Sequence, residues 1–401
     1  MSVSAATATA QQASGEAILS PARGFALHLW AFSLPLITTV FLVTGPHTWQ
    51  VALLWFLPIW VLVLCDVKAN KDHRQPDVRT PEWPFNAQVW ALALLQIANH
   101  VLLGYMASKL TFDSWTDLGV ILANLLAVHA VSGVNAGYSG IVLGHELVHR
   151  KNRAEYFLGR LLLAFVCYEH FATEHVRGHH PRLGTKVDPA TARFGETFRE
   201  FFFRTVPAQF QSAWHLESKR LGDENMKLWD RRMFQHRVLQ GVVMELAIVA
   251  AFFAFFGVIA GIFFVLQARM AVMLLEVVNY IEHWGIERHT KAVTTVDSWD
   301  TDNWFTLYTL VGLSRHSDHH AHASRPYHML RHFDDSPKMP SGYYGTIVLA
   351  LFANERYREL ATAELKRKGL GPFRERPTND PQSIRPMAGQ HPLAQGAILS
   401  A

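Results

Sequence analysis

Long apolar runs separated by polar stretches dominate this chain. A helix that spans a bilayer needs about 20 mostly apolar residues. Four runs meet or approach that length: residues 24–44, 51–65, 89–107 and 118–143. A fifth run, residues 238–280, is about twice as long as one span and carries Gly257 and Gly261 near its middle. It predicts two helices joined by a tight turn, so we predict an all-α membrane protein with six transmembrane helices.

Composition supports the membrane interpretation over a soluble all-α enzyme. Half of the residues are hydrophobic and only 17% are charged, whereas soluble domains carry roughly 25% charged residues. Soluble helices also need a polar stripe, which these runs lack. With 2 cysteines, the chain cannot build a disulfide framework, a four-thiolate zinc site or an iron–sulfur cluster alone.

Basic residues set the expected orientation, because positive charge collects in cytosolic loops. They follow the second, fourth and sixth spans: Lys68, Lys71, Arg74, Arg79, Arg150, Lys151, Arg153, Arg288 and Lys291. Both termini are therefore expected in the cytosol. We expect a disordered segment over residues 1–22, a membrane domain with a cytosolic catalytic region over 23–354, and a C-terminal helix with a flexible tail over 355–401.

The chain has 22 histidines, and nine of them fall into four short clusters. The topology predicts that all four clusters lie on the cytosolic side. The nine residues are His145, His149, His175, His179, His180, His283, His316, His319 and His320. Residues four apart share a helix face, so His175 and His179 are expected on one face, with His180 about 100° further round.

Nine imidazoles exceed the roughly three to six protein ligands of one metal ion, so they predict a di-metal site in a histidine-rich helical cap. Imidazole suits zinc, copper, iron and nickel. Five other histidines are not expected to be ligands: His100 and His129 lie within spans and are expected to pack, and His170, His322 and His328 lie nearer the clusters.

The sequence His-Glu-Leu-Val-His at 145–149 also matches the zinc metalloprotease signature. A protease would use Glu146 as general base and would need only one further ligand. It would leave at least six clustered histidines without a role, so this interpretation is disfavoured. A histidine-rich transporter is disfavoured too, because transport sites lie near the membrane midplane.

The clusters read HELVHRK, EHVRGHH, NYIEHWG and LSRHSDHHAH, with KVDPATARFGE after the second. In these motifs the chain closely resembles the membrane-bound alkane 1-monooxygenases of bacteria, the AlkB-type alkane hydroxylases. The chain differs from the usual motifs of that family at a few positions, and none of these differences removes a histidine. The positions are Val148, Arg150, Trp284, Ser314 and Ser324. Membrane desaturases, xylene-type methyl hydroxylases and fatty-acid hydroxylases share the broader plan and remain the alternative.

The resemblance implies a non-haem di-iron centre held by the nine histidines, with no haem or flavin in this chain. It implies hydroxylation of the terminal methyl of medium- to long-chain n-alkanes with O2. The two electrons would come from rubredoxin and its NADH-dependent reductase. The location implied is the bacterial cytoplasmic (inner) membrane, and nothing suggests nucleic-acid binding.

Further residues are expected to support that chemistry. Carboxylates that accept imidazole N–H bonds hold metal ligands in place, and the candidates are Glu146, Glu174, Glu276, Glu282 and Asp318. An apolar slot closed by the irons would present the methyl group first. Trp55 and Trp60 are candidates for its wall, or else interfacial tryptophans. Exposed basic residues would dock an acidic electron donor, and the candidates are Lys151, Arg153, Arg177, Arg182 and Lys186.

Overall fold

The computed structural model describes residues 17–374, and the structural statements below refer to that part of the chain. Its two strands, β1 (Ile18–Leu19) and β2 (Gln75–Pro76), pair in parallel. Six helices are long and apolar enough to span a membrane, as predicted. They are α1 (Pro21–Thr44), α2 (Trp49–Lys68), α3 (Trp83–Ala107), α4 (Trp115–Val148), α8 (Arg237–Phe256) and α9 (Val258–His283).

Shorter helices form a cap at the end of the bundle that carries the histidines. They are α5 (Arg153–Ala164), α6 (the consecutive segments Phe171–Thr173, Glu174–His179 and His180–Arg182), α7 (Phe198–Arg220), α10 (Trp304–Thr309), α11 (His316–Ala321), α12 (Tyr343–Phe352) and α13 (Asn354–Lys368). Single 3₁₀ turns stand at Arg231–Gln235, Leu313–Arg315, Tyr327–Met329 and Gly371–Phe373. The predicted all-α architecture is confirmed.

The predicted break in the long apolar run lies at Gly257, between α8 and α9. Its φ of 89° belongs to the left-handed region, where a residue without Cβ is favoured. Gly261 lies inside α9 instead, where a Cβ would stand 2.5 Å from the ring of Phe253. Gly257 therefore makes the turn, and Gly261 lets the two antiparallel helices approach each other.

Small residues and paired amides hold α4 against its neighbours. A Cβ added at Gly133 or Gly137 would stand 2.7 or 3.0 Å from side chains of α9. Gln96 of α3 and Asn135 of α4 exchange two hydrogen bonds of 3.0 and 2.9 Å. Small residues and interhelical hydrogen bonds are the usual means of helix association in lipid. This close approach puts the last turns of α4 and α9, with their histidines, side by side.

Asp66, buried near the end of α2, ties the cap to the bundle. Its carboxylate accepts hydrogen bonds from the Thr306 hydroxyl at 2.5 Å and from the Gly345 N–H at 2.9 Å. Its backbone carbonyl accepts one from the Asn303 side chain at 2.7 Å. Through these bonds α10 and α12 are held to the membrane bundle.

The structure corrects one predicted segment boundary. Residues 17–22 were expected to be disordered, but they form β1 and the start of α1, because β1 pairs with the segment that follows α2. The predicted C-terminal helix is α13. Its Tyr357 and Leu365 are buried in the main core, so α13 packs as part of the cap. The rest of the predicted disordered segment and most of the predicted tail, residues 1–16 and 375–401, lie outside the described residues.

Candidate metal centre

The structure brings all nine clustered histidines together. Their candidate ligand atoms form overlapping groups in which every pair of atoms lies within 4.8 Å. The first group consists of His145, His149, His175, His180 and His319. The second consists of His179, His283 and His320, and a third joins His283 to His316 and Glu282. Five imidazoles thus surround one position, and the other four belong to two neighbouring groups that share His283.

A π-helical segment decides how the second cluster divides. Glu174–His179 is π-helical, so residues five apart align, and His175 Nε2 lies 3.0 Å from His180 Nε2. The His179 ring instead lies 4.6 Å from the ring of His283, between centroids. The rings of His175 and His179 still stack at 5.4 Å between centroids, as expected for one face, but their ligand atoms belong to different groups. π-Bulges are rare and occur often at functional sites.

Burial favours the neutral form of His149, His175, His319 and His320. It lowers the pKa of His149 to about 4, with a smaller contribution from His179. It also lowers the pKa values of His175, His319 and His320 well below the ordinary value, helped by repulsion from neighbouring imidazoles. A neutral imidazole has a lone pair to donate, which is the form that binds a metal ion.

Unpaired nitrogens indicate what the centre is built to hold. Among the described residues, the buried Nε2 atoms of His145, His149 and His179 have no hydrogen-bond partner. Buried polar atoms are rarely left without one. Elsewhere Nε2 atoms face each other, as in His316 and His320 at 2.9 Å. A donor set of imidazoles that converge in this way fits two transition-metal ions of the iron, copper or zinc class.

One supporting carboxylate was not predicted. Asp188 accepts a hydrogen bond from His179 Nδ1 at 2.9 Å and another from the Thr191 hydroxyl at 2.6 Å. Burial opposes ionisation of Asp188, but His179 and these hydrogen bonds hold its pKa below the ordinary value. The bond fixes the ring tautomer, so that Nε2 of His179 faces the centre. The sequence could have pointed to this residue, because Asp188 is the acidic residue near the start of the KVDPATARFGE stretch.

Glu282 lies inside the centre. One carboxylate oxygen stands 3.1 Å from His316 Nε2, and the other accepts a hydrogen bond of 2.6 Å from the Tyr343 hydroxyl. His283 is oriented differently, since its Nδ1 donates to the Asn279 carbonyl at 2.9 Å. Glu282 is therefore a candidate ligand as well as a supporting group.

The other four predicted carboxylates form hydrogen bonds and ion pairs with residues around the centre. Glu146 pairs with Arg150, Glu174 with Arg182, Glu276 with Tyr168, Gln209 and Asn279, and Asp318 with His322 and Arg325. Among the described residues no hydrogen bond joins these four carboxylates to the nine imidazoles, because sequence adjacency to a histidine does not fix the direction of a side chain; their support of the centre stays a prediction. Glu276 accepts a hydrogen bond from the side chain of Asn279, whose backbone carbonyl in turn binds His283.

A narrow apolar cavity of about 30 Å³ lies between α4 and α9 and reaches the centre. Its walls include Gly137, Tyr138, Ile141, Val142, Leu274, Leu275 and Val278, and it ends at His145, His175 and His316. Trp60 is half exposed on the outer face of α2, and Trp55 packs against Phe41 and His47. Neither tryptophan lines this cavity.

The five predicted docking residues fall into two sets. Lys151, Arg153 and Lys186 are exposed. Arg177 and Arg182 form ion pairs with the buried carboxylates of Glu217 and Glu174. The exposed set is free to meet another protein, while the paired set stabilises the fold around α6.

The five other histidines considered in the sequence lie outside these three groups. His100 stacks on Phe165 with 4.6 Å between centroids, and His328 stacks on Phe85 at 4.2 Å. His170 packs beside Tyr168, His322 pairs with Asp318, and His129 is half-buried within α4. These positions agree with the expectation that they are not ligands.

Comparisons with known proteins identify the family. The sequence profile of the fatty acid desaturase family matches residues 118–347. Alkane 1-monooxygenase 1 of Pseudomonas aeruginosa is 37% identical over 72% of this chain and 76% of its own length. Alkane 1-monooxygenase 1 of Alcanivorax borkumensis is 33% identical over 81% of each chain. The xylene/toluene monooxygenase hydroxylase component of Pseudomonas putida is 24% identical over 58% of this chain. The chain belongs to the membrane-bound alkane 1-monooxygenase family.

Proposed function

We propose that this protein hydroxylates the terminal methyl of medium- to long-chain n-alkanes to 1-alkanols, using O2 and two electrons from rubredoxin. The observation that carries the proposal is the apolar cavity between α4 and α9 that ends on three of the nine clustered histidines. The relatives named alkane 1-monooxygenases support the substrate class.

The nine histidines would hold two iron ions. His145, His149, His175, His180 and His319 would bind one ion, and His179, His283, His316 and His320, with Glu282, would bind the other. When bound, the irons supply the activation of O2 that a strong, non-polar C–H bond requires and that no side chain can provide. Asp188 and the Asn279 carbonyl keep His179 and His283 in the tautomer that presents Nε2.

The cavity selects the position of attack. Its apolar walls would hold the end of the hydrocarbon chain and exclude water, and the lining side chains would move apart to admit it, because the cavity itself holds only about 30 Å³. Gly137 lies eight residues before His145 on α4, which corresponds to less than about 12 Å of helix, because Ala136–Ile141 is π-helical and rises less per residue. This depth is expected to limit the chain length, with Gly137 and Leu274 at the far end. Because alkanes partition into lipid, substrate reaches the cavity from the bilayer.

Electrons would enter from the side of the cap. The exposed Lys151, Arg153 and Lys186 are suited to an acidic protein such as rubredoxin, through a steered and salt-sensitive encounter. The same side carries Lys68 and Arg150, at the ends of α2 and α4. By the positive-inside rule, the cap and both termini would face the cytosol, with the spans in the bacterial inner membrane.

The test is product and metal analysis of the purified protein in lipid. Incubation with n-alkanes of increasing length, rubredoxin, its reductase and NADH should give 1-alkanols, and metal analysis should give two irons per chain. Alkenes would indicate a desaturase, and zinc without redox turnover would contradict the proposal. His319→Ala should abolish turnover, while His322→Ala, next to the same cluster but about half exposed, should retain it.

A further inference from the structure

A second cluster of metal-binding side chains lies outside the candidate metal centre. His73 follows α2, Asp302 precedes α10, and His332 follows the Tyr327–Met329 turn. His73 Nε2 lies 3.2 Å from one oxygen of Asp302, and His332 Nδ1 lies 2.8 Å from the other. The two rings stack nearly parallel, with 4.5 Å between centroids. Three distant stretches of chain thus meet around one carboxylate.

The charge of this cluster favours a cation. Asp300 and Asp302 both accept hydrogen bonds from the Lys338 ammonium, at 2.7 and 3.0 Å, and Asp334 lies 3.0 Å from His332. Three carboxylates thus lie around one ammonium, so the surroundings of the cluster are acidic. Acidic surroundings attract a divalent cation.

We propose that His73, Asp302 and His332 bind one divalent transition-metal ion of the zinc class, separate from the di-metal centre. Two imidazoles and a carboxylate are a usual donor set for such an ion. Their donor atoms all lie within 4.8 Å of one another. Donors bound at about 2.1 Å are at most about 4.2 Å apart. The His73 side chain is 53% exposed, so a small rotation of it closes the gap.

Lys338 does not prevent binding. Besides Asp302, its ammonium donates to Asp300 at 2.7 Å and to the Phe333 carbonyl at 2.7 Å. When a cation takes its place at Asp302, the lysine keeps both of these acceptors. The incoming ion therefore leaves no buried charge without a partner.

The ion would cross-link the cap. It would join the segment after α2 to the loops on either side of the fourth histidine cluster. Asp300, one partner of Lys338, also accepts a hydrogen bond of 2.6 Å from Ser317, which lies between His316 and Asp318 in α11. Bound metal would thus stabilise the support of that helix, and thermal stability should rise with it.

The test uses tag-free, iron-loaded protein dialysed against Zn²⁺, followed by measurement of zinc and iron per chain. The wild type should bind one zinc in addition to its iron. His73→Ala and His332→Ala should each weaken zinc binding more than about tenfold without loss of iron. His289→Ala, which removes an exposed histidine elsewhere in the cap, is the matched control and should bind zinc normally.

Zinc should also raise the thermal midpoint of the wild type and of His289→Ala, but not that of His73→Ala. The absence of an additional zinc in the wild type would overturn the proposal, and so would zinc binding that persists in His73→Ala. If His332→Ala fails to fold, the exposed His73 position decides the question alone, because retained iron reports that the variant is folded.

Discussion

Asp188→Asn tests how the metal centre is supported. In the wild type the buried carboxylate accepts hydrogen bonds from His179 Nδ1, the Thr191 hydroxyl and the Ala190 N–H. Asparagine has the same size but brings an N–H₂ group into this ring of donors. If that group faces His179, the imidazole must accept at Nδ1 and carry its proton on Nε2. The lone pair that should bind metal is then lost.

The magnitude follows from the hydrogen bond that is lost. A hydrogen bond to a charged group contributes about 1.5–3 kcal/mol, which at about 1.4 kcal/mol per factor of ten is roughly a 10- to 100-fold weaker affinity. That range matches the usual effect of removing a supporting carboxylate from a metal-bound histidine. We therefore expect iron to be lost from one of the two positions first, with turnover falling in parallel.

The assay is iron retained per chain against increasing concentrations of a competing chelator. Asp77→Asn is the matched control, because Asp77 is also buried and its carboxylate pairs with Arg79, outside the histidine groups. The control should keep wild-type iron. If Asp188→Asn releases iron no more readily than Asp77→Asn, the carboxylate does not support His179 as argued.

Three further predictions concern the cavity, the docking surface and acid stability. Leu275→Phe, which enlarges a side chain that lines the cavity, should shift the product profile to shorter alkanols, whereas Trp60→Ser should leave it unchanged. A double Lys151→Glu and Lys186→Glu change should lower rubredoxin-dependent turnover and make it less dependent on ionic strength, with iron content unchanged. If turnover of the variant and of the wild type depended equally on salt, these lysines would not belong to the docking surface. Burial lowers the pKa of His328 from 6.5 to about 4, so the unfolded chain binds a proton that the folded protein excludes, and stability falls as pH drops from 6.5 to 4. Relative to the wild type, the free energy of unfolding of His328→Phe should therefore be about 2 kcal/mol more favourable at pH 5 than at pH 8, as measured by thermal denaturation. The same difference between variant and wild type at both pH values would argue against a buried neutral ring.

Much of the fold was readable from local pattern. A span must satisfy its backbone hydrogen bonds internally and present apolar side chains to lipid, so its length and composition are visible in about 20 consecutive residues. The turn at Gly257 follows from the same pattern, because the run was too long for one span. The gathering of the four histidine clusters followed from helix ends that share one side of the bundle.

The sequence by itself determined six apolar helices, nine clustered histidines and the family to which the chain belongs. Only the tertiary structure decided how those histidines divide, since the π-helical segment at Glu174–His179 sends His175 and His179 to different groups. Only the tertiary structure, too, places Asp188 and Glu282 beside the clustered histidines and forms the cavity between α4 and α9. The physical reason is that side-chain directions depend on local helix geometry and on contacts between residues far apart in the chain, which no single stretch of sequence contains.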